Sequence, residues 1–312
     1  YYPPNGLPIL LHGETGTGKS YLASYVYKDL IANKFLDEEA CFISVNCSEY
    51  ANNPELFLAN FFGYVKGAYT GAENDRKGIA ELANKGVLFL DEIHALSSEC
   101  QEKLFQFRDN GKFHRMGDNE NWYTSNCWLI FATSELPEEK LLSTLLRRIP
   151  VKLTLPPLDS RSLYERKQLI RIFIKEEAKR IKKQIVLSQQ LVNFLLNYRF
   201  TGNVGNLKNI IQLACANAFS SSEGSEELAI QMYHLPQWIN LNGMKTLSRN
   251  IESKFIGMDD LEKVDESFNV NELIDSLYQR WTDKKDIQSL FEEYDKYFRQ
   301  KNVDVQRDAA LT

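Results

Sequence analysis

Eight consecutive residues, Gly13-Glu14-Thr15-Gly16-Thr17-Gly18-Lys19-Ser20, constrain this chain more than any other feature. They satisfy the phosphate-loop pattern G-x-x-x-x-G-K-[ST] at every fixed position. Leu7 to Leu11, just before, are mostly apolar and read as a buried strand, while Tyr21 to Ala32, just after, read as a helix. A loop at such a junction can fold its backbone N–H groups around phosphate oxygens at the positive end of the helix. In that geometry Lys19 reaches the β- and γ-phosphates of ATP, and the Ser20 hydroxyl ligates Mg²⁺. A glycine-rich turn matching by chance is the plain alternative, and the flanking strand and helix argue against it.

The rest of the first half extends the pattern. Pro8–Leu11, Cys41–Val45, Val87–Leu90, Trp128–Thr133 and Val151–Leu155 are candidate strands with helical stretches between them. Such alternation implies an α/β fold, a parallel sheet between helices, ending at Pro156-Pro157. Gly86-Val87-Leu88-Phe89-Leu90-Asp91-Glu92 is a hydrophobic strand that ends in two carboxylates, the Walker B pattern. Strands of open α/β sheets aim their C-terminal residues at the ligand crevice. Asp91 there holds Mg²⁺ through water, and Glu92 polarises the water that attacks the γ-phosphate. A dedicated water-activating carboxylate points to an ATPase rather than a small-molecule phosphotransferase.

Residues 159–241 read as all helix. Ile170, Phe173, Ile174, Ala178, Ile181 and Ile185 recur at helical spacing opposite Arg171, Lys175, Lys179 and Lys182, a basic face that reads as solvated rather than phosphate-binding. Ser188 and Asn203 are expected N-caps of helices through Tyr198 and Phe219, and Ser220–Glu227 a polar loop. Residues 242–312 are charged, with helical patches at Glu272–Trp281 and Asp286–Arg299. They read as a helical linker or the opening of a regulatory module.

The net charge of -5 argues against the whole chain being a nucleic-acid coat. Five scattered cysteines without a close pair suggest reduced thiols in a cytoplasmic protein, and His12, His94, His114 and His234 lack metal-ligand spacing and read as structural or surface residues. No apolar run is long enough for a membrane span. The chain begins at Tyr1 rather than Met, and is expected to be a piece of something longer.

Between the two phosphate-site elements lies Gly67-Ala68-Tyr69-Thr70-Gly71-Ala72. Such a loop either presents an exposed aromatic to a partner or is a turn with a packed tyrosine, and physics alone leaves both open. The hexapeptide resembles the GAFTGA signature of the bacterial enhancer-binding proteins, AAA+ ATPases that activate sigma-54 RNA polymerase. It lies in the family's order, and Phe61 to Lys66 resemble the family's lead-in to that loop. The resemblance covers about residues 5 to 240. It implies an AAA+ P-loop NTPase followed by a helical lid subdomain, a ring of copies (a hexamer in the family), and a loop that grips sigma-54. Asn46 matches the asparagine that switches the catalytic glutamate, and Thr133 matches the γ-phosphate sensor of the fourth strand. Arg147 aligns with the second of two arginines that reach a neighbour's nucleotide, the first falls on Leu141, and Arg148 is a candidate to share the role.

Tyr50-Ala51-Asn52-Asn53-Pro54, Phe62–Ala72 and Leu146-Arg147-Arg148-Ile149-Pro150 are similar to the levan-operon type of regulator, where sugar-phosphotransferase regulation domains follow the AAA+ module. That likeness implies partners in the phosphotransferase system, control of sugar-uptake genes, and DNA contact through a module before Tyr1. One departure stands out. The lid's usual arginine, in a GNVREL-like segment, is replaced by Gly205 in Gly202-Asn203-Val204-Gly205-Asn206-Leu207. Lys208, three residues on, is the candidate to restore that charge near the nucleotide. Competing readings are another AAA+ remodeller, such as a protease-associated unfoldase, and a nucleotide-gated scaffold that scarcely hydrolyses.

Overall fold

The computed structural model describes residues 6–221, 227–239 and 255–256. They lie almost wholly in one compact unit, Tyr1–Phe255. The helical patches expected beyond residue 256 lie outside the described residues, as does most of the loop expected after Ser220.

Five strands build the central sheet: β1 (Ile9–His12), β2 (Phe42–Asn46), β3 (Val87–Asp91), β4 (Trp128–Thr133) and β5 (Val151–Thr154). Their order is β2-β3-β4-β1-β5, all parallel. All five expected strands are present, shifted by a residue at some ends. The register sets His12 against Thr133 and Asn46 against Asp91, so the C-terminal ends of four strands share one edge. Strand alternation divides the apolar side chains between two layers. Leu88, Leu90, Leu129 and Phe131 face Phe57, Phe61, Leu104 and Phe107. Val87, Phe89, Ile130 and Ala132 face Ala23 and Leu30 of α1 (Lys19–Ala32). The first layer is supplied by α2 (Pro54–Phe62) and α3 (Ser98–Asn110), whose starts are held by the Asn53 and Ser97 side chains.

The lid contains α4 (Leu163–Ile181), α5 (Gln189–Asn197) and α6 (Asn203–Ser221). Ser162 and Glu165 form a capping box at the start of α4, and Ser188 caps α5 as expected. The all-helical reading of this part needs one correction. Lys182 adopts the left-handed conformation and stops α4, so Ile185 belongs to β6 (Gln184–Ser188), which pairs in parallel with β7 (Glu227–Ile230). Ile185 fits a helical repeat in the sequence because a short β-branched run matches either period. Its strand partner lies some 40 residues away, beyond the reach of local pattern. Arg166, 7% exposed, holds the junction of the two parts by bonding the carbonyls of Leu158 and Leu196 and the carboxylate of Asp159. Among the described residues no helix is long and apolar enough to cross a membrane.

Candidate functional site: a phosphate loop under a lid

The loop Gly13–Gly18 leaves β1 and enters α1 with Gly18 in the left-handed conformation and no side chain capping the helix. The first-turn N–H groups of α1 therefore keep their capacity for an anion. Lys19 is 5% exposed, and its Nζ donates to the carbonyls of Gly13 at 2.7 Å and Glu14 at 3.2 Å. Inside the loop, Thr17 donates through both its backbone and its hydroxyl to the Glu14 carbonyl. Thr15, which is exposed, and the half-buried Gly16 form the apex, and the lid contacts both.

Ser20 Oγ donates to Asp91 Oδ2 at 2.9 Å, which joins the two ends of the expected metal site although 71 residues separate them. A hydroxyl and a carboxylate beside an uncapped helix N-terminus are the hard oxygen donors that suit Mg²⁺ on a nucleotide. The donor set fits that ion.

Glu92 follows Asp91 with φ 50 and ψ 47, a left-handed conformation rare for a side chain of this kind. Its Oε2 accepts from the backbone N–H of Ser134 at 3.0 Å and from the Ser134 hydroxyl at 2.8 Å. His94 Nδ1 lies 3.2 Å from the same oxygen, and Lys19 Nζ lies 3.8 Å from Oε1. Thr133, wholly buried, sits beside this group with its Oγ1 3.0 Å from His94 Nδ1. Asn46 is at the same sheet edge, but its side-chain oxygen accepts from the Ser48 N–H and starts a short 3-10 turn at Cys47. The structure does not bring Asn46 onto Glu92. Ser134, which the sequence did not single out, and His94, which it read as a structural or surface histidine, are there instead. The Ser134 contact forms only when β3 and β4 are neighbours, and His94, two residues after Glu92, reaches the carboxylate through the 3-10 turn Ile93–Ala95.

The two candidate arginines separate clearly. Arg147 is exposed. Arg148 is committed to its own subunit: Nε donates to Asp109 at 2.7 Å, Nη1 donates to the Thr144 carbonyl, and the guanidinium lies 4.0 Å over the Phe105 ring. Arg148 is thus a packing residue here, correcting the expectation that it shares Arg147's role. Leu141, where the family's first such arginine falls, is buried.

The start of α6 rests on the loop apex. Gly205 N donates to the Gly16 carbonyl at 3.0 Å, and a Cβ on Gly16 would collide with the Gly202 carbonyl. Asn203, expected as an N-cap, does something else. Its Nδ2 donates to the Glu14 carboxylate at 3.1 Å and to the Thr15 carbonyl at 3.0 Å, while its Oδ1 accepts from Leu158 N. Arg161 adds a bond to the Thr17 carbonyl at 2.7 Å. Lys208 does not restore the missing charge. It pairs with Glu176 of α4 at 2.8 Å and lies 5.4 Å from the Phe173 ring. Three residues carry it about 4.5 Å along the helix axis and about 60° around it, away from the apex and toward α4.

The hexapeptide is an exposed turn. Gly67, Tyr69, Thr70 and Gly71 are exposed, Ala68 is half-buried, and Ala72 is buried. Gly67 N donates to the Ala72 carbonyl and Ala72 N to that of Tyr69. Gly67 and Gly71 have φ of 82° and 99°, and a Cβ on either would meet open space. Glycine is thus needed there for backbone conformation, not for room. The Tyr69 ring stands edge-on to Tyr64 at 5.1 Å and remains 46% exposed. Of the two readings left open, the exposed aromatic is the one the fold adopts. The base of the turn is braced by the segment after α3, through Val65 N to the Met116 carbonyl and Met116 N to that of Gly63.

Burial, with the Asp91 charge added, raises the Cys47 thiol well above its ordinary range. Burial likewise pushes Cys127 and Cys215 up to about 12. These thiols are core filler rather than nucleophiles.

Sheet order, phosphate loop, Asp-Glu strand end and helical lid together define an AAA+ nucleotide-binding module. The model of the Sigma-54 interaction domain matches residues 2–155, and that of the AAA+ ATPase lid domain matches residues 165–250. The chain belongs to the AAA+ sigma-54 activator family. It is similar to the transcriptional regulatory protein LevR of Bacillus subtilis, 41% identical over 92% of this chain and 33% of that protein. The transcriptional regulatory protein DagR of Salmonella typhimurium is 37% identical over 73% of this chain and 24% of its own length. The chain thus spans a third or less of these two relatives. A crystal structure of NtrX from Brucella abortus in complex with ADP shares the fold, with a TM-score of 0.60 at 21% identity over 75% of this chain and 50% of that one.

Proposed function

We propose that this chain is the ATP-hydrolysing module of a transcriptional activator that acts on sigma-54 RNA polymerase through the Gly67–Ala72 turn. The observation that carries the proposal is the gathering of Lys19, Ser20, Asp91 and Glu92 around one uncapped helix N-terminus. The exposed turn and family membership supply the target. Lys19 exchanges the Gly13 and Glu14 carbonyls for phosphate oxygens when ATP enters. Ser20 and Asp91 hold Mg²⁺, which when bound neutralises charge on the phosphates. Glu92 Oε1, on the side facing Lys19, orients and polarises the attacking water. Thr133 and Asn46, at the ends of the two strands that flank β3, report loss of the γ-phosphate to the sheet edge.

Arg147 enters the site of a neighbouring copy in a ring, a hexamer by family likeness. An arginine in that role is worth about 10³–10⁵ in rate. Hydrolysis then shifts the Tyr69-Thr70 tip, which moves the sigma factor and lets promoter DNA open. In the whole regulator, a cytoplasmic protein, DNA binding belongs to another module. Sugar-phosphotransferase proteins act on domains outside the described residues to set expression of sugar-uptake genes. Glu92→Gln is the test: ATP binding stays near the wild-type level while phosphate release falls by about 10²–10⁴. Unchanged release in that variant defeats the proposal.

A further inference from the structure

Glu92 is held by more than a catalytic carboxylate needs for its fold. Its backbone occupies the left-handed region, at a cost of about 1–2 kcal/mol. Such a conformation persists when the surroundings impose it. The surroundings are specific: both donors of Ser134 and the Nδ1 of His94 converge on Oε2, leaving Oε1 toward Lys19. His94 sits in the 3-10 turn Ile93–Ala95, closed by Ala95 N on the Glu92 carbonyl, so its ring is fixed relative to that carboxylate. Thr133 Oγ1 accepts from Glu135 N at 3.2 Å, and with its own proton on the Glu135 carbonyl, also at 3.2 Å, it is an acceptor toward His94. A carboxylate oxygen at 3.2 Å and a hydroxyl oxygen at 3.0 Å beside the same nitrogen favour the tautomer that carries its proton on Nδ1.

We infer that His94 and Ser134 are positioning residues that fix which oxygen of Glu92 faces the γ-phosphate. Oε2 takes both hydrogen bonds from Ser134 with His94 Nδ1 3.2 Å away, and Oε1 is the working atom. His94 also links the carboxylate to Thr133, so a shift of β4 is transmitted to Glu92 through the imidazole. The inference rests on Glu92 acting on water, as proposed above.

Two His94 variants and one spectrum test it on the full chain. The Nδ2 of asparagine occupies nearly the place of imidazole Nδ1, so His94→Asn keeps the donor and His94→Leu removes it. With Mg²⁺ and ATP, His94→Leu is expected to lose about 10- to 100-fold in kcat with the ATP dissociation constant unchanged, while His94→Asn stays near wild type. Ser134→Ala, which removes one donor with little change in volume, shows the same split more weakly and serves if His94→Leu does not fold. Equal kcat in the leucine and asparagine variants overturns the inference, whether both are active or both are impaired. Nitrogen NMR of the His94 ring is the second readout. A proton on Nδ1 whose resonance moves in Glu92→Gln is expected, and a proton on Nε2 alone, or no response to that substitution, overturns the inference. The spectrum decides this even if the wild-type chain proves not to hydrolyse ATP, a result that would count against the proposed function alone.

Discussion

Arg147 and Arg148 are adjacent and chemically identical, yet their surroundings assign them different work. Arg148 loses an ion pair, a carbonyl bond and an aromatic face if truncated. Its alanine variant should lower the melting temperature by a few degrees, the effect of about 1 kcal/mol in a domain of this size. Arg147, exposed, should leave the melting temperature unmoved when replaced by alanine, while ATP turnover of assembled copies falls by about 10³ or more. Calorimetry and phosphate release on both variants separate the roles, and a melting loss confined to Arg147→Ala would reverse the assignment. Lys208 teaches the same lesson. A lysine stem reaches several ångströms, and it settles on the nearest carboxylate, here Glu176.

Among the elements, the exposed turn Gly67–Ala72 and the segment after α3 form one hydrogen-bonded unit. Its geometry comes from backbone hydrogen bonds and two positive-φ glycines, and the Thr70 hydroxyl takes part in no bond that shapes it. Thr70→Ala should therefore keep the fold and ATP turnover while abolishing capture of sigma-54 in the presence of ATP and a transition-state mimic. Transcription activation retained in that variant would remove the turn from the mechanism. Arg115 braces the same unit by a two-pronged bond to Glu81 and stacks 4.2 Å over Tyr123, so the tip is mounted on packed structure rather than on a slack loop.

Across the whole molecule, the lid touches the phosphate loop directly. Asn203, 4% exposed, bridges Glu14, Thr15 and Leu158, which couples the lid to the loop apex although Gly205 replaces the usual arginine. Asn203→Ala leaves the Leu158 N–H without its acceptor, at a cost of about 1–3 kcal/mol. Alanine at φ 53° adds about 1 kcal/mol more. The melting temperature should fall by roughly 5–15 °C, and ATP should bind more weakly because the apex is no longer held. If binding of ATP is untouched in the folded variant, these contacts serve stability alone.

The sequence by itself determined the sheet, the phosphate loop and the Asp-Glu strand end, because each is a run of adjacent residues whose chemistry and period need no distant partner. Those runs also placed Tyr69 in a turn, since Gly67 and Gly71 tolerate backbone angles that other residues resist. Only the tertiary structure decided where the polar side chains spent their hydrogen bonds. The Asn203 side chain turned to the phosphate loop, Asn46 turned to Ser48, Arg148 to Asp109, and Glu92 took hydrogen bonds from Ser134, just after β4. A long or branched polar side chain has several possible partners of nearly equal worth. Which one it takes depends on the few ångströms that packing of distant segments brings within reach.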